Sequence, residues 1–299
     1  MQTVQSITIF GVTGFLGRGL PSLLAEKGMT TVGVSRSGKG QVPNVERWTS
    51  PENLDLSGQH AVINLAGEPV DQRWNDRTRR LFHESRVGVT DQIVQTIARL
   101  PPEERPKVLI NASAVGIYGD RGDETLTESS RRGQGYLADL CNDWEDAAVE
   151  AESLGVRVVR LRIGVVLGKG GRAFEKLNTI FKFGIGGRLG SGQQWMPWIH
   201  VEDLRAAIVH CLLSTNLAGP VNGVAPQPER NRDFTRKLAT ALHRPAIFPT
   251  PAFALQLALG DFSSALLGSQ RVVPSALAAD GFQFKFPKLE TAFTDLTRS

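Results

Sequence analysis

The chain has 299 residues, 41% hydrophobic and 21% charged, which suffices for one large α/β domain or two unequal lobes and excludes a disordered protein. Its formal charge of +4 is loosely spread: the densest basic stretch, 71–86, sets Arg73, Arg77, Arg79, Arg80 and Arg86 against Asp71, Asp76 and Glu84. That mixture reads as a solvated helix face or an aid to anion binding; no nucleic-acid motif accompanies it, and Cys141 and Cys211 form neither a disulfide framework nor a metal site.

Ser6-Ile7-Thr8-Ile9-Phe10 reads as a buried strand running straight into Gly11-Val12-Thr13-Gly14-Phe15-Leu16-Gly17 and a helix over 15–27, with Gly28 at its C-cap. Three glycines at three-residue spacing permit a sharp turn and a close backbone approach to a ligand, and a helix start directs unpaired N–H groups at phosphate. The spacing is GxxGxxG rather than GxGxxG, so a plain tight turn is the alternative. Its place after an apolar strand favours a nucleotide, with Gly11, Thr13, Gly14, Phe15, Leu16 and Gly17 as its contacts.

The strand 30–34 then ends in Ser35-Arg36-Ser37. An acidic residue there would hold the ribose 2′-OH of NAD, whereas Arg36 suits the 2′-phosphate of NADP, with Ser35, Ser37 and Lys39 as further donors. The alternative is an ordinary solvated arginine.

More strands are expected at 45–48, 61–65, 108–112 and 156–161, and helices at 75–100 and 134–154, the latter stopped by Gly155. This alternation predicts an α/β fold: a Rossmann-type doubly wound parallel sheet with a smaller mixed α/β C-terminal lobe. The expected division is 1–168 and 169–299, with a C-terminal module at about 249–299 and later segments free to return to the first domain. Glycine loops follow at 168–171 and 184–192, the second leading into Trp195 and Trp198, as a mobile cover over a ligand or a plain surface connection. Phe234, Leu238 and Leu242 mark one helix and Phe253, Leu257 and Ala258 another, both stripes reading as core. The tail predicts a helix at 275–279, a strand at 282–286 and a last helix after Pro287. The stretch 251–268 is interrupted by Gln256, Asp261 and serines, and no signal-peptide pattern opens the chain, so a cytoplasmic protein with no membrane partner is expected.

Taken in order, the glycine triad, Asn64-Leu65-Ala66-Gly67, Asn111-Ala112-Ser113-Ala114-Val115-Gly116-Ile117-Tyr118-Gly119, Asp143-Trp144-Glu145, Arg162-Ile163-Gly164 and Pro197-Trp198-Ile199-His200-Val201-Glu202-Asp203 resemble an extended short-chain dehydrogenase/reductase. Within that superfamily the chain is most similar to the nucleotide-sugar-epimerase-like branch labelled the YfcH or 39U epimerase family. Its segments 251–255 and 281–287 resemble that branch's small C-terminal module. The resemblance implies a Rossmann domain that binds NADP(H), and a lobe that closes over a small-molecule substrate. It puts Gly11, Gly14 and Gly17 at the pyrophosphate and Asn64, Leu65, Ala66 and Gly67 beside the adenosine half. Glu68, Arg162, Trp195, Trp198 and His200 are the substrate-binding candidates.

The catalytic residues depart from the superfamily pattern, which sets a serine four residues before the Tyr-Gly pair and then a YxxxK helix. Ala114 stands four before Tyr118, with Ser113 beside it on the opposite strand face; Tyr136 fits the tyrosine, but Leu140 takes the place of the lysine. An ammonium about 4 Å from a phenolate is worth about 4 kcal/mol at an effective dielectric near 20, or roughly three pKa units. Without it Tyr136 stays near a phenol's usual value and is a poor base. Arg86, which is also a cofactor-binding candidate, or Arg162 is a candidate replacement cation, and each also reads as a structural arginine. Two readings follow. One is an NADP(H)-binding oxidoreductase or epimerase-like enzyme acting on a small polar substrate, with Tyr136, Ser113 and Tyr118 as catalytic candidates. The other is a catalytically degenerate NADPH-binding regulatory or scaffolding protein.

Overall fold

Short runs of aliphatic and β-branched residues, apolar on both faces, are stable as strands only when helices cover both sides of the sheet. Seven strands, Ser6–Phe10, Thr30–Val34, Arg47–Thr49, Ala61–Asn64, Val108–Ala114, Arg157–Ile163 and Gly219–Gly223, pair in parallel; the inner ones carry this pattern, whereas the edge strand Arg47–Thr49 is only partly buried. In the computed structural model, which describes residues 4–298, Ser6–Phe10 lies between Thr30–Val34 and Ala61–Asn64. The chain reverses its direction of travel across the sheet at that point, and this opens a crevice at the carboxyl ends of the strands. One sheet face packs Ile7, Ile9, Leu161 and Val221 against Leu204 and Ile208 of the helix Val201–Leu213. The other packs Phe10, Val62 and Leu109 against Ile93 and Ile97.

Local chemistry moves several expected boundaries. The third strand is Arg47–Thr49 rather than 45–48. The first helix begins later than expected, as a 3₁₀ turn Gly17–Gly19 followed by Leu20–Ala25. The single helix expected over 75–100 is two, Asp76–His83 and Val89–Ala98, joined by a π-turn at Glu84–Gly88. Asn75 starts it with a reciprocal cap in which its side chain accepts from the Thr78 amide at 3.0 Å. Tyr136–Val149 runs on into a 3₁₀ turn ended by Gly155, whose φ of +81° suits a helix C-terminus. Gly219–Gly223 returns from beyond residue 168 to the sheet's edge.

The second core belongs to the C-terminal lobe, where Phe174, Phe181, Trp198, Phe234, Leu238 and Phe293 pack together from the helices Arg172–Lys182, Asn231–Leu242 and Leu289–Thr297 and the strand Trp198–His200. Two expectations fail here. Residues 282–286 form no strand: Phe282 and Phe284 stack edge-on, while the amides of Lys285 and Phe286 donate to the Asp203 carboxylate at 2.8 and 2.9 Å instead of to a neighbouring strand. The helix Ala252–Leu259 turns only Leu255 inward, leaving Phe253 and Leu257 at 72% and 77% exposed, so that stripe is surface rather than core. Among the described residues no helix is long and apolar enough to cross a membrane.

Candidate cofactor and active site

The glycine turn at the first strand's end folds on itself so tightly that side chains do not fit. Gly11 has φ +73°, and a Cβ there would sit 2.8 Å from the Leu65 carbonyl oxygen. One on Gly17 would sit 2.3 Å from the Gly11 oxygen, while the Gly14 amide closes the turn onto that oxygen at 2.9 Å. Thr13 and Gly14 are left exposed at the turn. Behind it, Arg205 donates to the Phe15 carbonyl at 2.6 Å and the Leu16 carbonyl at 2.9 Å. No sequence motif marks Arg205; its signal is a lone arginine in the otherwise apolar stretch 204–209.

The second wall is the turn after Thr30–Val34. Ser35 Oγ accepts from the Lys39 amide at 3.0 Å and donates to the Lys39 carbonyl at 2.7 Å. This tight loop leaves Arg36 and Ser37 exposed, and Arg36 enters no ion pair among the described residues. The third wall follows Ala61–Asn64. Asn64 donates to Asn111 Oδ1 at 2.7 Å and to Thr90 Oγ1 at 3.1 Å, and its own oxygen accepts from the Ala66 amide. Leu65, Ala66 and Gly67 are thereby held beside the glycine turn. Arg86 donates to the Glu68 carbonyl at 2.9 Å and lies 5.2 Å over the Trp144 ring. Burial lowers its pKa, and no carboxylate pairs with it among the described residues.

The catalytic candidates separate into two groups. Ser113 Oγ donates to Glu145 at 2.8 Å; Arg162 grips both oxygens of the same carboxylate at 2.8 and 2.9 Å and donates to the Tyr118 hydroxyl at 2.9 Å. Tyr118 in turn donates to Asn222 Oδ1 at 2.6 Å. All five side chains are buried. Burial raises the Tyr118 pKa. Burial works against the Arg162 cation, but Glu145 more than compensates and its pKa is raised. Ser113, Tyr118 and Arg162 therefore serve a closed internal network, which corrects their assignment to catalysis and substrate binding.

Tyr136 stands apart. It is half-buried, its ring 5.1 Å from Trp74 and 4.6 Å beneath the Arg79 guanidinium, its hydroxyl 3.4 Å from the Arg79 carbonyl. Burial raises its pKa above the ordinary 10.0 despite the pull of Arg79 and Arg86, so it is a neutral phenol at physiological pH. Leu140, in the lysine's place, is buried in one cluster with Trp74 and Phe82. Arg79 was indistinguishable in the sequence from its basic neighbours. Asp261, at 2.7 Å, and the Trp74 ring against Phe262 tie this corner to the C-terminal module.

Residues 7–223 match the NAD dependent epimerase/dehydratase family, and residues 250–296 match a domain of unknown function, DUF1731. The chain belongs to the NAD dependent epimerase/dehydratase family. It is 37% identical to the chloroplastic epimerase family protein SDR39U1 homolog of Arabidopsis thaliana, over 97% of this chain and 86% of that protein. It is 35% identical to epimerase family protein YfhF of Bacillus subtilis, over 98% of each. Among solved structures, human epimerase family protein SDR39U1, crystallised with NADPH, superposes with a TM-score of 0.89 at 31% identity, covering 98% of this chain and 99% of that one.

The remaining substrate-binding candidates divide by burial. Trp198 is 1% exposed and donates its indole N–H to the Gln227 carbonyl, so it is a core residue. His200, also 1% exposed, stacks on Phe286 and accepts from the Glu202 amide, capping the helix Val201–Leu213. Both lie out of a substrate's reach, a second correction. Trp195 is half-buried between the Arg230 and Arg271 guanidiniums, at 4.5 and 4.8 Å, and donates to Asp123. Glu68 is exposed beside Arg86.

Proposed function

We propose that the protein is an NADP(H)-dependent oxidoreductase of the epimerase-like class, located in the cytoplasm and acting on a small polar substrate. The observation that carries this is Arg36, exposed at the end of the second strand and without an ion-pair partner among the described residues, where an NAD-specific site would carry an acid. The human relative crystallised with NADPH supports the same reading. At the glycine turn the exposed Thr13 and Gly14 would meet the pyrophosphate. Ser35, Arg36 and Ser37 would hold the 2′-phosphate, and Leu65, Ala66 and Gly67 the adenosine half. Bound NADPH supplies a hydride to a carbonyl carbon. Tyr136, half-buried and protonated at neutral pH, is the residue that would donate its Oη proton to the carbonyl oxygen.

Calorimetric titration with NADPH and NADH tests the cofactor. A preference of about 1–3 kcal/mol for NADPH is expected from one Arg–phosphate pair, and equal affinities would remove Arg36 from the site. NADPH oxidation with a panel of small polar carbonyl compounds, by the wild type and Tyr136→Phe, tests the chemistry. A loss of about a hundredfold in turnover with unchanged NADPH affinity is expected. The second reading, a cofactor-binding regulatory protein without catalysis, is favoured by the buried Leu140 and by the commitment of Ser113 to Glu145. It requires tight NADPH binding with no oxidation by any compound of the panel.

A further inference from the structure

A second concentration of charge lies in the C-terminal lobe. A groove of about 700 Å³ runs between the helix Asn231–Leu242 and the segment 244–249, with Arg188 reaching in from the glycine loop. Arg232 and Arg236 line it from one face of the helix at a spacing of four, so the helix period itself stacks their charges along one wall, and His243 follows at the helix C-cap. Arg244 joins them. The carboxylate that meets these groups is Asp233, shared between Arg232 at 3.4 Å and Arg236 at 2.9 Å; Arg188 and Arg244 enter no ion pair among the described residues. Four guanidiniums thus face one groove with one carboxylate between them, a surplus of like charge that a bound anion would relieve.

The groove also has built features. Arg188 sits on a backbone ladder, its carbonyl accepting from the Thr250 amide at 2.9 Å while the Gly190 amide donates to the Thr250 carbonyl at 2.8 Å. Thr235 lines the groove at 6% exposed, and its hydroxyl makes no side-chain hydrogen bond among the described residues. Ala239, Ala246 and Pro249 give the rest of the wall an apolar surface. None of these residues belongs to the dinucleotide crevice.

We propose that this groove binds a soluble, multiply charged phosphate ligand of the diphosphate class, as a site separate from the cofactor's. Guanidiniums pair with phosphate oxygens in bidentate fashion, and several of them converging select a ligand with more than one negative charge over a monocarboxylate. The volume accommodates a ligand of nucleotide size or smaller. The Thr235 hydroxyl supplies a neutral contact at the wall.

The test is calorimetric titration with inorganic pyrophosphate, with and without saturating NADPH so that the glycine turn's own affinity for pyrophosphate is separated. A saturable site with a dissociation constant in the micromolar range is expected to persist when NADPH is saturating. Arg188→Ala combined with Arg236→Ala is expected to weaken it tenfold or more while leaving NADPH affinity and the melting temperature unchanged. Absence of a saturable site with NADPH present, or a site indifferent to the double variant, overturns the proposal. So does sedimentation with phosphatidylserine-containing vesicles but no response to pyrophosphate, which would assign the charge to a lipid surface instead.

Discussion

A guanidinium that already holds a carboxylate is unavailable to a ligand, and the contrast between Arg36 and Arg162 follows from this. Arg36 is exposed and enters no ion pair among the described residues, so Arg36→Ala is expected to lower NADPH affinity by about 1–3 kcal/mol while leaving NADH binding and stability almost unchanged, as measured by calorimetry and thermal melts. Arg162 is locked onto Glu145 in the interior. Removing one partner of a buried ion pair strands the other charge, so Glu145→Ala is expected to cost about 3–5 kcal/mol in urea unfolding. The Ser113 and Tyr118 hydroxyls, linked to the same pair, would lose their alignment with it. A cost below about 1 kcal/mol would show that the network is not closed. Tyr136 belongs to neither case, because it has two guanidiniums nearby and still keeps its proton.

At the scale of elements, the glycine-rich loop 184–192 reads in sequence as a mobile cover, yet part of it is tied to the C-terminal module. The amides of Gly190 and Thr250 each donate across that junction, and Leu189 N–H donates to Asn231 Oδ1 at 2.8 Å. By contrast, the Gly186 and Gly187 amides have no backbone partner among the described residues. Hydrogen exchange of the ligand-free protein is therefore expected to be slow at 189–190 and at 250, and fast at 186–187. Uniformly fast exchange across 186–192 would mean that the ladder does not persist in solution and that the whole loop moves as a cover. The π-turn at Glu84–Gly88 is a similar case, because it carries Arg86, the arginine that faces Glu68 and Trp144. Its extra residue changes the helix phase, which a uniform helical period cannot anticipate.

At the scale of the whole molecule, both cysteines lie deep in separate cores, and this couples stability to alkaline pH. Burial pushes the Cys141 and Cys211 thiols up to about 12 from an ordinary 9.0, with Glu145 adding to the first and Arg157 opposing the second. The native state therefore keeps protons that the unfolded chain loses above pH 9. The stabilisation is fully present below pH 9 and is lost as pH rises toward about 12, at about 1.4 kcal/mol per pH unit for each thiol. Tyr118 and Tyr136, raised by burial above 10.0, act in the same direction at higher pH. Urea unfolding between pH 9 and 10 is expected to show a shallower decline for Cys141→Ala combined with Cys211→Ala than for the wild type. Parallel declines would mean that the buried thiols ionise normally.

Much of this protein is written in local patterns. The strand-to-glycine junction at 6–17, the alternation of apolar runs with helical stripes and Arg36 in place of an acid each depend on neighbours along the chain, and together they define a Rossmann-type sheet and its crevice. Other properties depend on what packs against a residue from far away. Tyr118 and Tyr136 are equally good tyrosines in the sequence; one is sealed by Asn222, 104 residues on, and the other remains half-exposed beneath Arg79. Phe253 and Leu257 have the spacing of a core stripe, but Leu255 is the residue that faces inward. Local periodicity determines which residues share a face of a helix or strand. Whether that face meets protein or water, and whether a charge is already paired, is decided by contacts between distant segments, and only the folded chain brings those segments together.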